Sequence, residues 1–363
     1  MCRTTRSLVW AVALLSIILA ADVRAAAPSP PKLRAILLNA KDVTDSRIER
    51  LKAERYTAIV LAVSDLSDEL AGDRGAAARV RAASLDLYYW VEVARHAPTA
   101  DAKPLQMASL QGHGEWRQRF PKIRAPQDGE VTKVYPWTPI LYRENFDAHL
   151  ARVTALLKDR PQAKGVFLND LQAAPSACGC GNVVCRWTTD YGPIETAKRL
   201  KDDAAALFVS ELSRQLPNVK VIPVWTSECE EHDKETLCAG VNCYQGLCWK
   251  RYAAQLAPLA KQVNELGVLC LYKEFGQDVP HWKPEAGWVE HALRTFEAPP
   301  QNGPKVATSR LIAVLQGWDV SADELKAQIS RAEAAGTLGI VVAEARIDQG
   351  WEPRIVSLSP NSR

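Results

Sequence analysis

The chain has 363 residues, with 45 basic and 42 acidic side chains and a net charge of +3. That length suits one large domain or two ordinary ones, and so even a charge balance gives no footing for a nucleic-acid or anionic-membrane partner. Nine cysteines make the redox compartment the next question.

The first segment carries Arg3 and Arg6, then an apolar run from Leu8 to Ala21, then Val23-Arg24-Ala25. This pattern predicts a secretory signal peptide over residues 1–25, cut after Ala25, and a Pro-rich linker over residues 26–32. The alternative, an anchor that stays attached, meets the objection that the run is shorter than the roughly 20 residues a span needs. Removal takes three basic and one acidic residue, so 42 basic stand against 41 acidic and the mature charge is +1. Cys2 leaves as well, and eight cysteines remain. The expected location is secreted or periplasmic, with no membrane span after signal removal.

Eight short apolar runs follow in order: Leu33 to Ala40, Ala58 to Ser64, Leu85 to Ala94, Gly165 to Asp170, Val219 to Trp225, Gly267 to Glu274, Arg310 to Trp318 and Leu338 to Ala345. Most are continuously apolar, as strands buried on both faces of a parallel sheet must be. Amphipathic helices lie between them. Phe146, Leu150, Val153 and Leu157 share one face, as do Leu200, Ala204, Leu207 and Phe208. Ser46 with Glu49 and Ser321 with Glu324 have capping-box spacing, while Gly267 and Gly336 sit where helices should stop. Eight β/α units match a single-domain (β/α)₈ TIM barrel over residues 33–348 better than a doubly wound sheet with an added domain. Residues 349–363 form a C-terminal tail, and the long segment from Arg95 to Thr138 is a loop over the face where barrel sites are built.

Barrel sites draw on the C-terminal ends of strands. Glu92 and Arg95 close the third strand, Asn169 and Asp170 the fourth, Lys273 and Glu274 the sixth, and Glu344 and Arg346 the eighth. Glu228 follows the fifth, and Gln316 and Asp319 the seventh. Trp90, Trp225 and Trp318 fall at strand ends too, and an exposed indole offers a flat surface for a sugar's C–H face. Carboxylates with aromatics at one mouth are what glycoside hydrolysis needs, one acid to protonate the leaving oxygen and a second carboxylate to attack or to activate water. The opposing reading is that acids end strands for solubility or helix capping. Asp170 and Glu228 are the expected pair, with Asn169, Trp90, Trp225, Glu274, Trp318 and Glu344 binding substrate.

The stretch "GVFLND" followed by Pro, C-x-C and "CRW" resembles the secreted glycosyl-hydrolase-like TIM barrels, in which a "G-[IV]-H-L-D-Y" strand end precedes a cysteine cluster and an arginine. Two departures stand out. The family's His is Phe167, and its Asp falls on Asn169 with Asp170 one place later. One step along a strand reverses a side chain, so Asp170 does not simply inherit the role. A similarity to the α-amylase-like barrels implies Asp170 as nucleophile, Glu228 as general acid and Asp319 as transition-state stabiliser, although the arginine of that family is Leu168 here.

Cys178, Cys180 and Cys185 follow strand four; Cys229, Cys238, Cys243 and Cys248 follow strand five; Cys270 lies in strand six. Disulfides within and between those loops are expected, with Cys270 either half of a bridge or a small core residue. A structural zinc site is the rival, stretched by the four residues between Cys180 and Cys185. No motif calls for a cofactor, and the histidines show neither H-x-H nor H-E-x-x-H, so no catalytic metal is expected. Two functions follow: a secreted glycoside-hydrolase-like protein acting on a carbohydrate, or a non-catalytic carbohydrate-binding or envelope protein on the same scaffold.

Overall fold

The computed structural model describes residues 33–63, 67–94, 106–107, 131–134, 138, 140, 143–171, 203–226, 249–274, 285–299, 304–347 and 354–357. Eight parallel strands carry the fold: β1 (Leu33–Asn39), β2 (Ala58–Ala62), β3 (Asp86–Glu92), β4 (Gly165–Asn169), β5 (Lys220–Thr226), β6 (Leu266–Cys270), β7 (Leu311–Gln316) and β8 (Gly339–Ala343). They close into a barrel in the order β1-β8-β7-β6-β5-β4-β3-β2, the (β/α)₈ arrangement. Helices α1 (Asp45–Ala53), α2 (Ser67–Ala82), α3 (Arg143–Lys158), α4 (Ala204–Gln215), α5 (Trp249–Gln262), α6 (Trp288–Arg294) and α7 (Ala322–Ala334) follow β1 to β7 in turn. After β8 the described residues hold a strand rather than an eighth helix. Arg354–Ser357 pairs antiparallel with Val131–Val134, which pairs in turn with Gln106–Met107. The tail and the long segment after β3 therefore share a small sheet.

The direction of each strand side chain follows from a contact across the barrel. A Cβ on Gly267 of β6 would lie 3.6 Å from Phe167 of β4, although β5 separates the two strands. Phe167 thus points into the lumen, and so do the residues in register with it and those two places along. Trp90 pairs with Phe167, Glu92 with Asn169, and Gln316 with Ala343, all on this inward parity. Tyr89 has the other parity, and its hydroxyl donates to Pro161 O at 2.7 Å in the outer layer. Gly267 itself is an interior strand residue and not a helix stop, because a side chain there would also crowd Val224.

Local signals were honoured unevenly. Ser321 and Glu324 form a capping box at α7, and Gly336 adopts φ +76 just past that helix. At α1 the cap is Thr44, whose hydroxyl accepts from Arg47 N; the helix begins at Asp45, which places Ser46 inside the first turn. The α3 face of Phe146, Leu150, Val153 and Leu157 is buried as expected. On α4, however, Leu207 is 39% exposed, since Ala204, Ala205, Phe208, Val209 and Leu212 make the buried stripe. Among the described residues no helix is long and apolar enough to cross a membrane.

Candidate active site

At the mouth, the last rung between β3 and β4 joins Glu92 to Asn169. Two neutral donors hold the Glu92 carboxylate. Trp90 Nε1–H donates to Oε1 at 2.7 Å, and Asn169 Nδ2–H donates to Oε2 at 2.9 Å. Beneath this pair the ring of Trp90 stacks on Phe167 with centroids 6.0 Å apart. Arg152 of α3 fixes the strand end from outside, donating to the carbonyls of Glu92 and Val93, each at 2.9 Å. Trp90 and Asn169 are buried while Glu92 is half-buried, so the carboxylate is the part that reaches the mouth.

A second group gathers beyond β6, β7 and β8. Glu274 Oε2 accepts from Trp318 Nε1 at 3.3 Å and from Arg346 at 3.4 Å. Arg346 also reaches Asp319 at 3.4 Å and lies over the Trp318 ring, 5.8 Å from its centroid. Lys273 and the Tyr272 hydroxyl both donate to Glu324 at the start of α7, at 3.3 and 3.1 Å. Burial, and then the bond to Glu324, push the Tyr272 phenol up to about 12. Glu324 is held down at about 2, first by the Ser321 backbone N–H of the capping box and then by Tyr272.

The structure sorts the expected site residues into those that meet and those that do not. Asn169 and Trp90 meet at Glu92; Glu274, Trp318 and Asp319 meet at Arg346. Glu344 pairs instead with Arg47 of α1. Asp170 lies one residue beyond β4, buried, with φ 58. Asp319 also adopts a left-handed backbone, φ 54, but is exposed. Neither follows strand alternation, and their parent strands stand three places apart around the barrel. The inward place at the end of β4 belongs to Asn169.

The expectation of open indole faces needs correcting. Trp90 is 1% exposed, Trp225 0% and Trp318 7%. Trp90 serves the lumen core, and Trp318 lies under Arg346. Trp225 adjoins the inward Val224 in β5, so strand alternation turns it to the helix layer. Cys270, a disulfide candidate, is a buried free thiol on the outward parity of β6, and burial raises its pKa. Glu228 and the cysteines 178, 180, 185, 229, 238, 243 and 248 lie outside the described residues. Among the described residues no three His, Cys, Asp or Glu side chains gather as metal ligands.

Glu92 is the site residue that sequence reasoning passed over, leaving it one strand end among several. Its signal was the pair Trp90-x-Glu92, an indole donor and an acid two residues apart and therefore on one strand face.

No family model and no curated protein matches the chain. Among solved structures it is similar to a chitinase from Chromobacterium violaceum ATCC 12472, with 11% identity over 78% of this chain and 68% of that one and a TM-score of 0.40. A protein of Bacteroides thetaiotaomicron VPI-5482, assigned provisionally as an alpha-L-fucosidase, gives 7% identity over 87% and 88% with a TM-score of 0.46. A sugar phosphate isomerase/epimerase from Parabacteroides distasonis ATCC 8503 gives 11% over 87% and 88% with 0.38. Likeness at this level says nothing about chemistry. The closed strand order and the inward carboxylate define the class, a (β/α)₈ barrel with an acid-bearing mouth.

Proposed function

We propose that this chain is a secreted or periplasmic glycoside-hydrolase-like protein that acts on a carbohydrate at the mouth of its barrel, with Glu92 as the working carboxylate. One observation carries the reading: Glu92 faces inward at the mouth with each oxygen held by a neutral N–H donor, from Trp90 at 2.7 Å and Asn169 at 2.9 Å. A carboxylate so fixed can attack the anomeric carbon or stabilise an oxocarbenium-like transition state at no cost in reorganisation. The proton donor in this reading is Glu228, which follows β5 in sequence. No cofactor enters the reaction in this reading.

The test is a screen of the purified protein against a panel of 4-nitrophenyl glycosides and polysaccharides, with Glu92→Gln beside it. Glu92→Gln should lower the rate by about 10² to 10⁴ while folding is preserved. Glu228→Gln should lose more activity on alkyl glycosides than on dinitrophenyl glycosides, whose leaving group needs no proton. Undiminished turnover by Glu92→Gln would end the proposal.

The non-catalytic reading has its own supporting observation, since the inward end of β4 is the amide Asn169 where the resembling family places an acid. It predicts sugar binding without turnover, with Glu92→Gln changing affinity alone.

A further inference from the structure

The least expected side chain of the barrel is Gln316. It is completely buried at the inward end of β7, where Ile312 and Val314 precede it on the same parity. A buried amide is costly unless its donors and acceptors are met. Here they are met by specific partners on three elements. Gln316 Oε1 accepts from the backbone N–H of Glu274 at 3.0 Å, and its Nε2 donates to Trp318 O at 3.1 Å. Its own backbone is engaged by one side chain of α7: Gln328 Oε1 accepts from Gln316 N at 3.2 Å, and Gln328 Nε2 donates to Gln316 O at 2.9 Å.

One side-chain amide thus ties the segment after β6 to the segment after β7. Those segments supply Glu274 and the Trp318 indole that grips it. An apolar residue of similar volume would fill the space as well, so packing does not explain the amide. Its geometry does one thing packing cannot, which is to set where the Glu274 backbone begins and hence where its carboxylate stands.

We propose that Gln316 is a positioning residue for the site, which holds Glu274 as the second mouth carboxylate, three strands around the barrel from Glu92. This rests on the reading of the mouth as the working site. It assigns Gln316, through Glu274, to the binding of the substrate on the wall facing β3. Gln328 is the support behind it, and Arg346 supplies the opposite charge at Glu274 Oε2.

The experiment uses the full chain with ¹⁵N-labelled tryptophan, the Trp318 indole resonance being assigned by Trp318→Phe. The indole N–H signal should move as pH takes the Glu274 carboxylate through its titration, and Glu274→Gln should remove that movement. Gln316→Leu should displace both the resonance and its titration. Gln316→Met keeps the length and volume of the side chain and loses both of its hydrogen bonds, so it should displace the resonance and its titration in the same way and serves as the second variant where Gln316→Leu does not fold. A resonance and titration unchanged in a folded Gln316 variant would overturn the proposal, whether or not any glycoside is cleaved. Where the wild type cleaves a 4-nitrophenyl glycoside, Gln316→Leu and Glu274→Gln should each weaken kcat/KM about tenfold, and the double variant should be no worse than Glu274→Gln alone. Full additivity would also refute the positioning role. Failure of the Glu92 reading shows separately, as undiminished activity in Glu92→Gln.

Discussion

Glu92 is gripped by an indole and an amide, Glu274 by an indole and a guanidinium, and the two arrangements leave the mouth with different charge on its two sides. Around Glu92 both donors are neutral and buried, so its negative charge stays uncancelled by them. Around Glu274 the Arg346 cation offsets the charge and ties in Asp319 as well. The first arrangement keeps a charge available for a reacting sugar; the second fixes a charge-balanced carboxylate in place, suited to binding substrate rather than to attacking it. Acids at strand ends thus serve reaction or binding according to what holds them.

The largest effect on this contrast should come from the indole beneath Glu92. Trp90→Ala removes a fully enclosed ring stacked on Phe167 and should cost about 3–5 kcal/mol of stability, read by denaturant unfolding. Trp90→Phe, which keeps most of the ring and loses the N–H, separates packing from the hold on Glu92.

Asn169→Asp comes next, because it replaces the neutral donor with a second carboxylate against Glu92. Like charges at that separation raise the folded pKa of the pair above the unfolded value. Such a pair destabilises the fold above the unfolded pKa, near 4, and the penalty is relieved as pH falls through the raised folded value. The variant should therefore unfold more easily than wild type at pH 7, by about 1–3 kcal/mol, and converge with it towards pH 4. Equal stability of the two proteins at pH 7 would mean that Asn169 is no more than a spacer.

On the other side, Ser321→Ala should cost about 1 kcal/mol by opening the capping box of α7. Glu324, anchored there, has a folded pKa lowered to about 2. Its contribution is complete above its unfolded value near 4.3 and disappears only as pH falls through about 2, so the fastening of Tyr272 and Lys273 should outlast the ionisation of ordinary carboxylates during acid titration. Arg346→Met should have the smallest effect, below about 1 kcal/mol, since this guanidinium is well exposed and its ion pairs are screened. A larger loss would show that the Glu274 side depends on charge as strictly as the Glu92 side depends on neutral donors.

The barrel was legible because a buried parallel strand must be apolar throughout: six of the eight runs from Leu33 to Ala345 contain the strand observed, and the other two miss one end residue each, Thr226 and Leu266. The site was less legible because its logic lies in pairs from different strands. Glu92 acquires meaning only from Asn169, seventy-seven positions away, and Gln316 only from Glu274 and Gln328. Trp225 failed as a mouth residue on parity, which no count of strand-end aromatics can supply. Alternation within β4 set Asn169 and Asp170 against each other, and the structure turns Asn169 inward with Asp170 just beyond the strand; the left-handed backbone that Asp170 adopts had no advance signal, since Asp tolerates it without requiring it.

The small sheet formed by Gln106–Met107, Val131–Val134 and Arg354–Ser357 has a consequence for the order in which the protein can assemble. Val131–Val134 waits for Arg354–Ser357, more than about two hundred residues further along the chain. A ribosome delivers the second partner only after every barrel strand has been made, so during synthesis the segment following Glu92 remains without its final edge pairing. The rung that carries Glu92 and Asn169 can form earlier, once β3 and β4 have emerged, and the small sheet is the last part to close.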